Sequence, residues 1–192
     1  MSEEQKFYSQ SYWYDNPLEH DDVSNYDENY YVYKIYENLI LKLNDIPDDG
    51  FIVLLGTNKC VSFDLLCKHF GAERCIGYDI ANPTKHPRVI VKDCNLLGGD
   101  DDIPIAFCHN DLGSFPTTPE LKIHGQRWAT KNIVKGGYFL GRNNLNAAKF
   151  KSEQLMEENN FENQLFKNLQ AHFDLSALDE RCIEGHMLSK KL

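Results

Sequence analysis

The sequence predicts an α/β domain of the doubly wound type, with a mostly parallel sheet finished by a C-terminal antiparallel hairpin. Three observations predict it. Short, continuously apolar runs recur between helical patterns, which is how strands buried on both faces read. Most of these runs end at a glycine or an acid. The tail then alternates without a helix to separate its last two apolar segments.

The first run is Phe51-Ile52-Val53-Leu54-Leu55, ending at Gly56. A helix over Val61 to Phe70 follows and ends near Gly71. Cys75-Ile76-Gly77-Tyr78 forms the second strand and ends at Asp79, Val89-Ile90-Val91 the third, followed by Asp93, and Ile103 to Cys108 the fourth, leading to His109-Asn110-Asp111. Pro119 to Val134 reads as a helix closed by Gly136-Gly137, with Pro119 at its first position and Thr117 or Thr118 as its cap. Tyr138-Phe139-Leu140 opens the fifth strand. A further helix runs from Lys149 to Phe161 and toward Leu169. The segments 172–178 and 183–188 form the terminal hairpin. The connections from Asp79 to Arg88 and from Asp93 to Ile103 are too short for a full crossover helix and are expected as turns.

Residues 1–48 stand apart as an arm and helix, and residues 49–192 form the α/β domain. Tyr8, Tyr12, Trp13, Tyr14, Tyr26, Tyr30, Tyr31 and Tyr33 crowd the arm. They cover a sheet edge or a helix, or they wall a ligand. From Tyr30 to Leu43 apolar residues recur at helical spacing, up to the breaker Ile46-Pro47-Asp48-Asp49-Gly50.

The 192 residues carry a formal net charge of −9, which disfavours binding to duplex nucleic acid. No apolar run approaches the length of a membrane span, and the N-terminus lacks a secretory signal. Six cysteines occur without a Cys-x-x-Cys pair, which argues for buried thiols in a reducing compartment and a cytoplasmic protein.

The carboxyl ends of the strands gather the candidate site residues, where open parallel sheets bind ligands. Gly56 lets the backbone approach a ligand closely. Asp79 offers a carboxylate able to accept two hydroxyl hydrogen bonds. The loop is neither the dinucleotide fingerprint nor a P-loop, which argues against nicotinamide and ATP chemistry.

The order of these signals over about residues 50–190 resembles the class I S-adenosylmethionine-dependent methyltransferases, whose sheet is Rossmann-like. Leu55-Gly56-Thr57-Asn58-Lys59-Cys60-Val61-Ser62-Phe63 resembles the cofactor loop of some small-molecule O-methyltransferases. The resemblance implies S-adenosylmethionine as cofactor. Gly56, Thr57, Asn58 and Ser62 would form its loop, Asp79 and Ile80 would hold the ribose, and Asp93, Cys94 and Asn95 would meet the adenine. Asn110-Asp111-Leu112-Gly113 resembles the segment beside the reacting methyl, and Gly136-Gly137-Tyr138 the turn before the fifth strand. The loop departs from the pattern in having Asn58 and Cys60 where glycines are usual. Cys60 is expected to narrow the methionine pocket.

Asp111 is the candidate catalytic acid and His109 the candidate general base, against readings as a cap and as a packed structural histidine. His124, inside the helix from Pro119, is expected as a surface or packing residue. The fifth strand ends in Arg142-Asn143-Asn144, too poor in acids for magnesium, so no metal is expected. Arg142 could hold an acidic substrate or close the cleft. Two functions follow. The chain is a methyltransferase for a small-molecule or nucleotide- or sugar-linked acceptor, or it is a catalytically inactive binding or scaffold protein of the same fold. In the second case Cys60, Phe63 or the arm's tyrosines would fill the cleft.

Overall fold

The computed structural model describes residue 40 and residues 43–57, 60–111, 124–142, 161–165 and 186–192. Its sheet has seven strands: β1 (Phe51–Leu55), β2 (Cys75–Asp79), β3 (Val89–Val91), β4 (Ile105–Asn110), β5 (Ile133–Arg142), β6 (Phe161–Leu165) and β7 (His186–Lys191). They lie in the order β3-β2-β1-β4-β5-β7-β6. The first five strands pair in parallel, and β7 runs antiparallel to both β5 and β6. The chain winds outward from β1 to β3 and then crosses to β4, so the switch in winding direction falls between β1 and β4.

Two layers cover the sheet. Helix α1 (Val61–Phe70) buries Phe63 and Leu66 against one face, with Ile52, Leu54, Phe107 and Leu140. Ile40 and Leu43 join the same cluster, while the rest of the helix expected over 30–43 lies outside the described residues. Helix α2 (His124–Asn132) packs Trp128 and Ala129 on the other face, with Val53, Leu55, Cys108 and Phe139. The continuous apolar reading of β1 is explained by this double coverage: Ile52 and Leu54 face α1, and Val53 and Leu55 face α2.

The two short crossovers are turns, as expected. Between β2 and β3, Asn82 accepts from His86 N–H at 2.9 Å and its amide donates to His86 C=O at 2.9 Å. His86 Nδ1 in turn accepts from Arg88 N–H at 3.1 Å, and its Nε2 lies 3.3 Å from Asp64 on α1. Between β3 and β4 stand single 3-10 turns at Cys94–Leu96 and Gly99–Asp101. Lys92 clamps the second by donating to Asp101 at 2.6 and 2.7 Å.

Four expectations need correction. The fourth strand is displaced by two residues. It begins only after Pro104, which has no N–H to donate, and it continues through His109 and Asn110, which pair with Leu54 and Leu55. Helix α2 ends at Asn132, so Ile133 and Val134 belong to β5. Gly136 and Gly137 are within β5 rather than in a turn before it. Gly136, at φ +78°, lies where the register jumps from Ile105↔Ile133 to Phe107↔Tyr138, and it accommodates the extra residues as a bulge. Finally, Phe161 to Leu165 is a strand and not the end of a helix. It is β7's partner in the terminal pair, where the segment 172–178 was expected. Both edges of β7 are taken, by β5 and β6, so no third strand can pair there. The segments 149–160 and 172–178 lie outside the described residues, as does the aromatic arm.

The segment before β1 is tied down by charge. Tyr138 Oη donates to Asp45 Oδ1 at 2.7 Å, and Lys190 Nζ donates to Oδ2 at 2.6 Å. Arg74 donates to the carbonyls of Gly50 and Pro47. Burial pushes the Asp45 carboxyl up, but the hydrogen bonds from Lys190 and Tyr138 outweigh it and hold the group below its ordinary value. A carboxyl lowered by folding contributes stability above its unfolded pKa of about 4, and loses it as pH falls through the folded value. Asp45→Asn should therefore flatten the acid limb of a plot of urea midpoint against pH, while leaving the plot above pH ~6 parallel to wild type.

Close packing inside the sheet generates a second expectation. A Cβ on Gly77 would lie 2.5 Å from Thr57 Cγ2, 3.0 Å from Val89 Cγ2 and 3.3 Å from Phe63 Cζ. Gly77→Ala should cost about 1–3 kcal/mol in chemical denaturation, the range for overpacking a close-packed interior.

Candidate functional site

The carboxyl ends of β1, β2 and β4 meet at the switch point, and backbone hydrogen bonds hold them together. Gly56 N–H donates to Tyr78 C=O at 2.9 Å, one step beyond the end of β1. Asp111 N–H donates to Leu55 C=O at 3.0 Å on the other side. Gly56 takes φ +87°, a conformation costly for any residue with a side chain, and so turns the chain sharply over the strand ends.

Thr57 follows and is 3% exposed. Its Oγ1 donates to Asp79 Oδ2 at 3.5 Å, and Ala81 N–H donates to Asp79 Oδ1 at 3.3 Å. The Asp79 carboxylate is thus oriented beside the Gly56 turn by a side chain from the β1 loop and a backbone amide from its own. Ile80 follows in the bend after β2.

Thr57 C=O also accepts from Cys60 N–H at 2.7 Å, which tightens the loop before α1. Cys60 takes the left-handed conformation, φ 65° and ψ 10°, at the position where the resembling loops carry glycine. Its thiol does not point into open space. Cys60 is 1% exposed and packs in the cluster under α1, where Thr84 Oγ1 lies 3.3 Å from its sulfur. The expectation that it narrows a pocket therefore meets a side chain turned inward. Burial pushes the thiol up, against hydrogen bonds from Thr84 and Thr57. Ser62 lies in the first turn of α1, and Asn58 lies outside the described residues.

Beyond β3, Asp93 caps the 3-10 turn by accepting from Asn95 N–H at 2.8 Å. Cys94 turns inward and donates to Tyr78 C=O at 3.6 Å, with burial pushing its thiol well up. Asp79, Asp93, Cys94 and Asn95 are therefore grouped at one end of the sheet, with Gly56 and Thr57.

At the end of β4 the two catalytic candidates separate. His109 is 1% exposed, flanked laterally by Leu54 and Leu140 on the face that α1 covers. That placement supports the structural reading of His109 over the general base. Asn110 is 6% exposed and alternates to the other face. Asp111 is half-buried at the switch point, and the segment it would cap lies outside the described residues. His124 is half-buried, its Nε2 lying 3.2 Å from Leu97 C=O. The backbone of Arg142 pairs with His186 at the end of β5, while residues 143 and 144 lie outside the described residues. No group of three or more possible metal ligands occurs among the described residues.

The sequence reading did not find the Asn82–His86 turn or the Asp64–His86 contact that props the β2–β3 loop on α1. The signal available was Asn82-Pro83-Thr84, a segment with the chemistry of a side-chain-stabilised turn.

The left-handed Cys60 has a measurable consequence. Glycine at this position should be more stable than alanine by about 1 kcal/mol, the reverse of their order in an ordinary helix. Urea unfolding of Cys60→Gly beside Cys60→Ala measures this, since both variants lose the same sulfur.

No family model matches the chain, and no curated protein matches it by sequence. Solved structures do match. The N-methyltransferase NodS from Bradyrhizobium japonicum superimposes with a TM-score of 0.59 at 11% identity, over 95% of this chain and 96% of that one. Geranyl diphosphate C-methyltransferase from Streptomyces coelicolor gives 0.56 at 13% identity, over 97% of each chain. The 1,6-didemethyltoxoflavin-N1-methyltransferase from Burkholderia thailandensis gives 0.55 at 10%, over 99% of this chain and 89% of that one. All three were solved with S-adenosylhomocysteine bound. The seven-stranded sheet with its reversed β7 and the likeness to these structures agree: the chain has the fold of the class I S-adenosylmethionine-dependent methyltransferases.

Proposed function

We propose that the chain is an S-adenosylmethionine-dependent methyltransferase acting on a small-molecule or nucleotide- or sugar-linked acceptor. The observation that carries the reading is the Asp79 carboxylate, oriented by Thr57 and Ala81 beside the sharp Gly56 turn at the switch point. A carboxylate set there suits a ribose diol. The backbone at Gly56 gives close approach.

In this reading Gly56, Thr57, Asn58 and Ser62 form the cofactor loop, Asp79 and Ile80 hold the ribose, and Asp93, Cys94 and Asn95 border the adenine. S-adenosylmethionine supplies an activated methyl group on a sulfonium. The chain's own contribution is to hold the acceptor in line and exclude water. Asp111, at the end of β4, orients the acceptor or takes its proton where the acceptor must lose one. The small-molecule acceptor is supported by what the solved neighbours act on, geranyl diphosphate and 1,6-didemethyltoxoflavin.

The scaffold alternative has Cys60, Phe63 or the arm's tyrosines fill the cleft. Cys60 and Phe63 pack in the cluster under α1, where the Phe63 ring meets the His86 ring edge-on at 5.0 Å.

Calorimetric titration with S-adenosylmethionine and S-adenosylhomocysteine tests the proposal. Wild type should bind both in the micromolar range. Asp79→Ala should weaken binding at least about tenfold, consistent with losing ~1.5–3 kcal/mol of hydrogen bonding to a charged group. A folded wild-type protein that shows neither heat nor thermal shift would sink the enzyme reading and leave the scaffold.

A further inference from the structure

The proposed function uses Asp79 but not the residue that joins the two loops around it. The sheet holds the backbone of Asp79, for Lys92 N–H donates to Asp79 C=O at 2.8 Å. The direction of the carboxylate is set by donors from two different loops. Thr57 Oγ1 reaches Oδ2 from the β1–α1 loop at 3.5 Å, and Ala81 N–H reaches Oδ1 from the β2–β3 loop at 3.3 Å. Both loops lead to Asn82.

Asn82 is half-buried and directly follows Ala81. Its Oδ1 accepts from His86 N–H at 2.9 Å, and its Nδ2 donates to His86 C=O at 2.9 Å. Its own carbonyl accepts from Lys85 N–H at 3.1 Å, and Lys85 takes φ 55° at the close of that turn. A carboxamide suits this closure because it accepts and donates at the same time. The loop so closed carries Thr84, whose Oγ1 lies 3.3 Å from both Asn82 Oδ1 and Cys60 Sγ. Cys60 N–H in turn donates to Thr57 C=O at 2.7 Å. One side chain thus stands behind both donors to Asp79. It reaches Ala81 through the adjoining peptide, and Thr57 through Thr84 and Cys60.

We propose that Asn82 is a positioning residue for Asp79, closing the β2–β3 loop so that Ala81 and Thr57 aim the carboxylate at a ligand diol, an inference that rests on reading Asp79 as the ribose ligand. Asn82 acts through Asp79 and not on the ligand itself. Asn82→Ala removes both side-chain bonds to His86. The loop keeps its Lys85 turn and the His86 Nε2 contact with Asp64, but the segment carrying Ala81 is no longer closed. The Asp79 carboxylate is then spread over its staggered rotamers. Binding weakens by the fraction that remains correctly aimed, which is about threefold when three wells share the population.

The test is a calorimetric double-mutant cycle on the full chain with S-adenosylhomocysteine as the probe. Asn82→Ala should bind about threefold more weakly than wild type. Asp79→Ala with Asn82→Ala should bind as Asp79→Ala does alone, because the residue that Asn82 aims is gone. A general loosening of the fold would weaken binding equally whether residue 79 is Asp or Ala. Asp45→Asn, which disturbs the opposite end of the sheet, should bind as wild type does. The inference is overturned if Asn82→Ala binds as wild type does. Equal weakening in both backgrounds, or equal weakening by Asp45→Asn, overturns it too. Should Asn82→Ala fail to fold, Asn82→Asp decides by the same criteria, since it keeps the shape and turns the donor to His86 C=O into an acceptor. Failure of the underlying reading is seen separately and first: wild type then shows no binding, or Asp79→Ala binds as tightly as wild type, and the role of Asn82 falls with it.

Discussion

The hydrogen bond from Gly56 N–H to Tyr78 C=O is the constraint on which the rest of the site depends. It carries the β1–β2 register one residue past the strand. The chain must then turn at φ +87°, and that turn sets Thr57 above the end of β2. Thr57 in turn reaches Asp79, and its carbonyl fastens Cys60 and the start of α1. Packing inside the sheet is adjusted to the same arrangement. Gly77, two residues before Asp79, has no side chain because the Thr57 methyl, Val89 and the Phe63 ring already fill that space. Loop, helix start and carboxylate are thus one mechanical unit, built from strand register and close packing together.

This arrangement gives the glycine-poor loop a physical explanation. A left-handed residue is required at Cys60 for α1 to begin where it does, and glycine would meet that need without strain. Cysteine meets it at a cost of roughly 1–2 kcal/mol. The thiol recovers part of that by burial in the cluster under α1 and by its contact with Thr84. The β2–β3 loop thereby becomes part of the support for the β1–α1 loop. Asn82 folds it, Thr84 reaches Cys60, and His86 bridges to Asp64 and the Phe63 ring. A short turn with a dense hydrogen-bond pattern takes the place of a crossover helix.

The legible parts of the sequence are those where local pattern and tertiary role agree. The strands β1 and β2 are apolar runs ending at a glycine or an acid, and the sheet buries them as such runs require, whereas β3 reads the same way but lies at the sheet edge with Ile90 and Val91 exposed. Gly56 and Asp79 were readable as strand-end residues for the same reason. The misread elements are those whose local chemistry points elsewhere. Phe161–Leu165 reads Phe-Glu-Asn-Gln-Leu, polar through its middle, and becomes a strand because β7 offers a free edge. His109 and Asn110 look like loop residues after an apolar strand, yet the β1 and β5 ladders extend past them. Cys60 was visible as a departure from the loop pattern. The direction of its side chain was not, because it depends on a φ value and on the neighbouring loop.

The sheet's two ends are held by different means, and this division bears on how the chain can act. At the carboxyl ends, the Thr57 hydroxyl and the Ala81 amide donate to the Asp79 carboxylate, and the Asn95 amide donates to Asp93. At the amino ends the ties are to charged groups. Asp45 is shared by Lys190 and Tyr138, and Arg74 and Arg88 clasp the carbonyls of Pro47, Gly50, Glu73 and Cys75. Charge pairs occur at the carboxyl ends as well, for Lys92 after β3 donates to Asp101. Lys92 is engaged there by Asp101, while Asp79 accepts from a hydroxyl and an amide, donors of the kind a diol also offers.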